Sequence, residues 1–269
     1  MGWHVATIAI AAIAAVVIGI PALFWFAQDS LIFFPQRIGS TTHLPPTARP
    51  FTVTTADGTR LNGWIVAGTE TPAPTVIYFG GNAEEVSVTL ADPRWPREWS
   101  IVALNYRGYG TSEGKPSQRD LTSDALALFD ALAAEDGIDR RRIVAFGRSL
   151  GTALATHVAA ERRIAGVVLV SPYDSLAAIG NHHYPWLPVS LLLRHRFDAL
   201  ADAHRCQMPL LAIVAKSDSI IPVERSRALY DAWPGPKSWQ VIQRSDHNTV
   251  GGTAEYWHGV SDFLARLRL

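Results

Sequence analysis

Apolar positions along this chain fall into two kinds of run. The first is long. Val5 to Ala27 carries no charged residue, and as a helix those residues would reach about 35 Å, against a hydrocarbon layer of about 30 Å. Trp3 stands at one end and Phe24-Trp25-Phe26 at the other, where interfacial aromatics belong. The pattern predicts an N-terminal transmembrane anchor over residues 1–28. A cleaved signal peptide fits less well: the segment before the run has only His4 as a basic side chain, the run is too long, and bulky aromatics fill the cleavage region. The first basic residue beyond the span, Arg37, leans towards a cytoplasmic catalytic domain without fixing the side.

The later runs are short and regularly spaced. Residues 29–50 read as a proline-bearing linker, with Pro35, Pro45, Pro46 and Pro50. Phe51–Ala56 and Leu61–Ala67 flank Asp57-Gly58 as a hairpin. Buried strands follow at Thr75–Phe79, Ser100–Asn105, Arg142–Phe146, Ala165–Val170, Leu210–Ala215 and Ser238–Gln243. Helical periodicity fills intervals between them, at Asp120–Glu135, Thr152–Glu161, Val223–Trp233 and Glu255–Leu267. Strands alternating with helices predict one α/β domain over residues 51–269, with a mostly parallel central sheet and helices on both faces. Residues 173–204 break the alternation and read as a short cap insertion.

Composition narrows the partners. Lys plus Arg and Asp plus Glu both number 24, with no basic stripe, so nucleic acid is not expected. Cys206 is the only cysteine, which excludes an intrachain disulfide and a C-x-x-C site. His182-His183 has no Asp or Glu at ligand spacing, and neither a metal nor another cofactor is expected. The oligomeric state is not legible.

The candidate chemistry centres on Gly147-Arg148-Ser149-Leu150-Gly151. Strand, G-x-S-x-G and helix in that order is the context of a nucleophile elbow, in which a tight turn presents the serine above the sheet. A serine hydroxyl needs a base, and the base an orienting acid. His247 and Asp218 each follow a strand at the same sheet edge as Ser149, so the predicted triad is Ser149, Asp218 and His247. Asp174 also follows a strand and is a rival acid, whereas Asp246, adjacent to the histidine, reads as a solvated loop carboxylate. The backbone N–H groups of Leu150 and Asn82 are the expected oxyanion hole. In the insertion, Trp186, Leu187 and Leu191 are candidate substrate-binding residues for an acyl or lipid-like group, with packing of the cap onto the domain as the competing reading.

Several stretches together resemble the α/β-hydrolase superfamily across residues 50–269: Phe79-Gly80-Gly81-Asn82-Ala83, the turn from Tyr106 through Gly110 to Gly114, the elbow, and Pro185-Trp186-Leu187-Pro188 running on to Asp198. With Leu31-Ile32-Phe33-Phe34-Pro35 after the anchor, the likeness is greatest to the membrane-anchored Bem-type branch, which shares features with serine-aminopeptidase-like and monoacylglycerol-lipase-like enzymes. The resemblance implies the α/β-hydrolase fold, the same triad positions, and hydrolysis of esters, thioesters or sometimes peptides. One departure stands out. The branch usually opens its oxyanion loop with His-Gly-Asn; here Gly80 replaces the histidine, which predicts a more mobile loop. The expected function is therefore that of a membrane-anchored serine hydrolase acting on ester bonds. A peptidase and a non-catalytic membrane scaffold of the same fold are the alternatives.

Overall fold

The computed structural model describes residues 2–38 and 44–267, with the side chains of residues 5–17 outside the description. The chain runs α1 (Gly2–Ile32), β1 (Ala48–Thr54), β2 (Arg60–Val66), β3 (Ala73–Phe79), α2 (Ser87–Leu90), β4 (Ser100–Leu104), α3 (Gln118–Ala133), β5 (Ile138–Arg148), α4 (Leu150–Glu161) and β6 (Gly166–Val170). Three short cap helices follow, α5 (Leu176–His183), α6 (Val189–Leu192) and α7 (Ala199–Ala203). The chain then continues with β7 (Leu210–Ala215), α8 (Val223–Ala232), β8 (Lys237–Ile242) and α9 (Ala254–Arg266).

Among the described residues one sheet has the order β1-β2-β4-β3-β5-β6-β7-β8. Every pairing from β4 to β8 is parallel; β2 runs against both β1 and β4. The inner strands read as continuous apolar runs because helices cover both faces, leaving no solvent side to select polar residues. Side chains still alternate between two cores. Ile77 and Phe79 of β3 pack with Leu121 and Leu128 of α3 and Leu154 of α4, while Val76 and Tyr78 pack with Trp257 and Val260 of α9. Helix starts are marked by side chains that accept from backbone N–H groups: Ser117 for α3, Ser175 for α5, Asp198 for α7 and Thr253 for α9.

The predicted strands and main helices appear with ends shifted by a few residues, which follows from hydrogen bonding beyond the apolar run. β5, for example, extends from the predicted Arg142–Phe146 to Ile138–Arg148 because Ala73 pairs with Ile138 and Arg148 with Val170. The N-terminal segment departs more. α1 continues to Ile32, and its last turns dock on the cap. Gln28 is fully buried; its Nε2 donates to the Leu192 carbonyl at 3.4 Å and its Oε1 accepts from Arg194 N–H at 2.7 Å. Asp29 accepts from Arg194 Nη2 and from His195 Nε2, both at 2.7 Å. Gln118 N–H donates to His195 Nδ1, which assigns the ring proton to Nε2. Phe33 is buried with its ring edge-on to His195 and Phe197. The start of the predicted linker is thus fastened to the domain; its residues 39–43 lie outside the described ones. Among the described residues no helix is long and apolar enough to cross a membrane.

Candidate active site

The elbow is enforced by steric exclusion. Ser149 has φ 51° and ψ −118°, a strained backbone for a residue with a side chain. A Cβ on Gly147 would stand 2.4 Å from the Gly151 carbonyl oxygen, and one on Gly151 would stand 2.1 Å from that of Phe79. Neither position admits a side chain, because both face backbone that cannot move aside. Ser149 N–H donates to Val170 O at 2.9 Å, which fastens the turn to β6. Leu150 and Gly151 open α4, so their N–H groups have no partner within the helix.

His247 and Asp218 come to this serine from the loops after β8 and β7. His247 Nε2 lies 3.0 Å from Ser149 Oγ, and its Nδ1 lies 2.8 Å from Asp218 Oδ2. With the imidazole proton on Nδ1 shared with the carboxylate, Nε2 is left as an acceptor facing the hydroxyl. Asp218 is engaged on both oxygens. Oδ1 accepts from the N–H groups of Ile220 and Ile221 at 3.0 and 2.8 Å, and Oδ2 accepts from Ser171 Oγ at 2.8 Å as well as from His247. Burial works to raise this carboxyl, but the hydrogen bonds from His247, Ile221 and Ser171 and the neighbouring imidazole hold it below the usual carboxylate range. The carboxylate is therefore a fixed negative charge behind the imidazole.

The rival acid is committed elsewhere. Asp174 Oδ2 accepts from Arg225 Nη1 at 3.0 Å. Asp246 staples its own loop by accepting from the N–H groups of Asn248 and Thr249. Of the histidines, His195 is taken by Asp29 and Gln118, and His157 lies 2.9 Å from Asp202. His157, Glu161 and Asp202 form the one group of potential metal ligands among the described residues, and Arg205 already occupies both carboxylates.

The loop from Gly80 to Asn82, expected to supply part of the oxyanion hole, is hydrogen-bonded at each of its residues. Gly80 O accepts from Tyr106 Oη at 2.7 Å, and Gly81 N–H donates to Glu84 Oε2 at 2.7 Å. The Asn82 side chain donates to the Ile32 carbonyl; its Oδ1 accepts from Tyr109 Oη at 2.7 Å and from Phe34 N–H at 3.1 Å. The turn that carries Tyr106 and Tyr109 therefore touches this loop, whereas its Arg107 is bound into the interior by Asp124 at 2.7 Å. A Cβ on Gly81 would lie 3.6 Å from that of Ser149, so the loop runs directly beside the serine.

Three side chains here carry no marked signal in the sequence. Arg148 bridges the segment after β3 and the loop that carries His247, with Nη1 3.2 Å from Glu84 Oε2 and Nη2 donating to the His247 carbonyl at 3.2 Å. Glu84 also accepts from Tyr78 and Thr89. Ser171 steadies the acid from a backbone with φ 48°. A serine at the end of a buried strand was the only available hint of that role.

In the cap, Leu187 is buried against Val189 and Leu193, with Phe24 and Ile32 of α1 packed on the same cluster. Trp186 and Leu187 line a cavity between the cap and α1. Leu191, the third candidate substrate contact, is 79% exposed and is not among that cavity's lining residues, because α6 turns it outward.

Comparison with known proteins agrees with this architecture. Residues 74–194 match the family model for the alpha/beta hydrolase fold. An uncharacterized protein of Mycobacterium tuberculosis is 36% identical over 244 residues, covering 89% of this chain and 87% of that protein. The chain belongs to the α/β-hydrolase superfamily. A second relative of this hydrolase, an uncharacterized membrane protein of Saccharomyces cerevisiae, is 27% identical over 98% of each chain. Among solved structures, an esterase of Pyrococcus furiosus superposes with a TM-score of 0.68 over 87% of this hydrolase and 99% of the esterase, at 22% identity, a likeness of fold.

Proposed function

We propose that this protein is a membrane-anchored serine hydrolase that cleaves carboxylic esters or thioesters of acyl or lipid-like groups. The observation that carries the reading is one imidazole placed between a strained serine and a buried carboxylate, His247 within 3.0 Å of Ser149 Oγ and 2.8 Å of Asp218 Oδ2. In the proposed cycle Ser149 Oγ attacks the acyl carbonyl carbon as its proton passes to His247 Nε2. Asp218 keeps the ring oriented and stabilises the imidazolium. The N–H groups of Leu150 and Asn82 face the developing oxyanion, where a single donor contributes about 10²–10³ in rate. Collapse expels the leaving alkoxide or thiolate, which takes the proton from His247. Water then gives a proton to His247 and attacks the acyl-enzyme; the acid leaves and Ser149 regains its proton.

The proposed anchor rests on the sequence. Val5–Ala27 is uncharged, and the helix that contains it spans Gly2–Ile32. A yeast relative carries the description of a membrane protein. The full chain should therefore stay in the membrane pellet through high-salt and alkaline washes, since a spanning helix is not held by charge.

A fluorophosphonate probe tests the chemistry. It should label the wild-type protein at Ser149 and fail on Ser149→Ala, with loss of p-nitrophenyl acetate hydrolysis. Full esterase activity in Ser149→Ala would refute the mechanism; cleavage of aminoacyl amides faster than of any ester would move the assignment to a peptidase.

A further inference from the structure

The cavity between the C-terminal part of α1 and the cap has a volume of about 550 Å³. Leu23, Phe24 and Ile32 of α1 face Ile179, Leu187 and Val189 of the cap across it. No carboxylate, lysine or arginine lines it, and the one histidine, His183, has Nε2 2.9 Å from the Ile220 carbonyl. With the Tyr184 hydroxyl as a further polar side-chain group, such a lining offers no fixed charge to a charged ligand and favours a hydrocarbon chain.

Ser149 is not among the lining residues, but both flanks of the groove are bonded to the loops around it. On the α1 side, Ile32 lines the groove, and its carbonyl accepts from Asn82. On the cap side, His183 reaches Ile220, whose N–H donates to Asp218. The groove thus lies between the loop proposed to hold the oxyanion and the loop that supplies the acid. Its mouth is apolar as well: Leu23 and Trp186 are 69% and 68% exposed. Leu23, Phe24 and Ala27 belong to the uncharged run that ends at Ala27, so if that run spans a bilayer the mouth opens at the lipid surface.

We propose that this groove is the acyl-chain site, that α1 forms one of its walls, and that the chain enters from the bilayer as part of a lipid ester. This rests on the hydrolase reading of Ser149 and extends it: the N-terminal helix is a component of the substrate site in addition to being a tether. A chain lying against α1 would leave the membrane along the same helix that holds the enzyme there, without crossing water. Each fully buried methylene favours binding about fourfold.

The test uses the full chain in phosphatidylcholine vesicles. Rates are measured as kcat/KM for p-nitrophenyl acetate, hexanoate and octanoate, and as turnover of 4-methylumbelliferyl oleate incorporated in the vesicles. The expected result is a rise of at least about tenfold from acetate to octanoate, with turnover of the oleate. Ala27→Trp and Leu23→Trp each place an indole in the groove from a helix surface. Both should cut the octanoate-to-acetate ratio at least about fivefold and slow the oleate, while Phe26→Ala, 81% exposed and outside the groove, leaves the ratio as in the wild type. A flat chain-length profile with acetate turnover intact would overturn the proposal. So would a ratio unmoved by both tryptophan variants. A rising profile on soluble esters without turnover of the oleate would overturn entry from the bilayer. Failure of the fluorophosphonate to label Ser149 would overturn the hydrolase reading, and the proposal with it.

Discussion

The elbow and the groove are held by different physics. At the elbow, position is dictated by backbone. Gly147 and Gly151 sit where no Cβ fits, Ser149 is strained, and Asp218 is gripped by two main-chain N–H groups. The groove is walled by side chains from segments more than 140 residues apart, and a few polar contacts at Gln28 and Asp29 keep α1 against the cap. Reaction geometry needs tolerances of a fraction of an ångström, which backbone sterics supply. An apolar wall tolerates adjustment, because burial is non-directional. The two regions should accordingly fail in different ways when altered.

The largest effect belongs to the elbow. Ser149→Ala or His247→Ala should lower kcat by roughly 10⁴–10⁶ with folding intact, measured on p-nitrophenyl acetate. If these variants kept more than a tenth of the activity, chemistry would not reside at the elbow and the contrast would collapse. Gly151→Ala tests the steric part. Its Cβ would have to displace the Phe79 carbonyl, so the protein should lose about 3 kcal/mol or more and fail to accumulate as a folded species. A normal melting temperature would mean that the close approach is not obligatory.

Asn82→Ala probes the junction between the regions, since this side chain joins the oxyanion loop to Ile32 and Phe34 at the end of α1. The backbone N–H survives but loses its supports, so kcat should fall by about 10–10² with little change in KM. A change confined to KM would assign Asn82 to ground-state binding instead. On the groove side, Gln28→Ala removes a buried amide and leaves the Arg194 N–H without its acceptor. This should cost about 1–3 kcal/mol, read as a lower melting temperature. An unchanged melting temperature would mean that α1 is held by its apolar contacts alone.

The smallest expected effect is on pH dependence. The folded carboxyl of Asp218 titrates below its unfolded value, so its ionised form contributes stability that is present above the unfolded value of about 3.9 and is lost as pH falls through the folded one. The amide of an Asp218→Asn variant does not titrate. The stability gap between wild type and that variant should therefore shrink as pH falls below about 4, measured by urea denaturation. A gap that widened below about pH 4 would reverse the sign of the linkage.

Most of the elbow was legible in the linear chain, because its determinants are local. A glycine two residues before and two after the serine, between a buried strand and a helix, is a constraint written within five positions. The order of strands and helices followed from apolar runs and periodicity, and the sheet-edge rule then placed Asp218 and His247 together. The Asn82 loop and the cap were legible too, the first as the loop after a buried strand and the second as the break in alternation over residues 173–204, while their finer roles stay proposals.

What the sequence by itself determined was therefore the succession of elements, the candidate nucleophile and the loops that meet it, since each is a property of a short window of residues. Tertiary structure decided between acids of similar local context, sending Asp174 to Arg225 and Asp218 to His247. It also decided that Arg148 and Glu84 tie two loops, that Leu191 turns outward while Leu187 packs inward, and that Gln28 and Asp29 lock the N-terminal helix onto the cap. Those outcomes depend on which surfaces meet after folding. A polar side chain carries the same local signal whether its partner is water or a group 160 positions away, and only the assembled packing selects between the two.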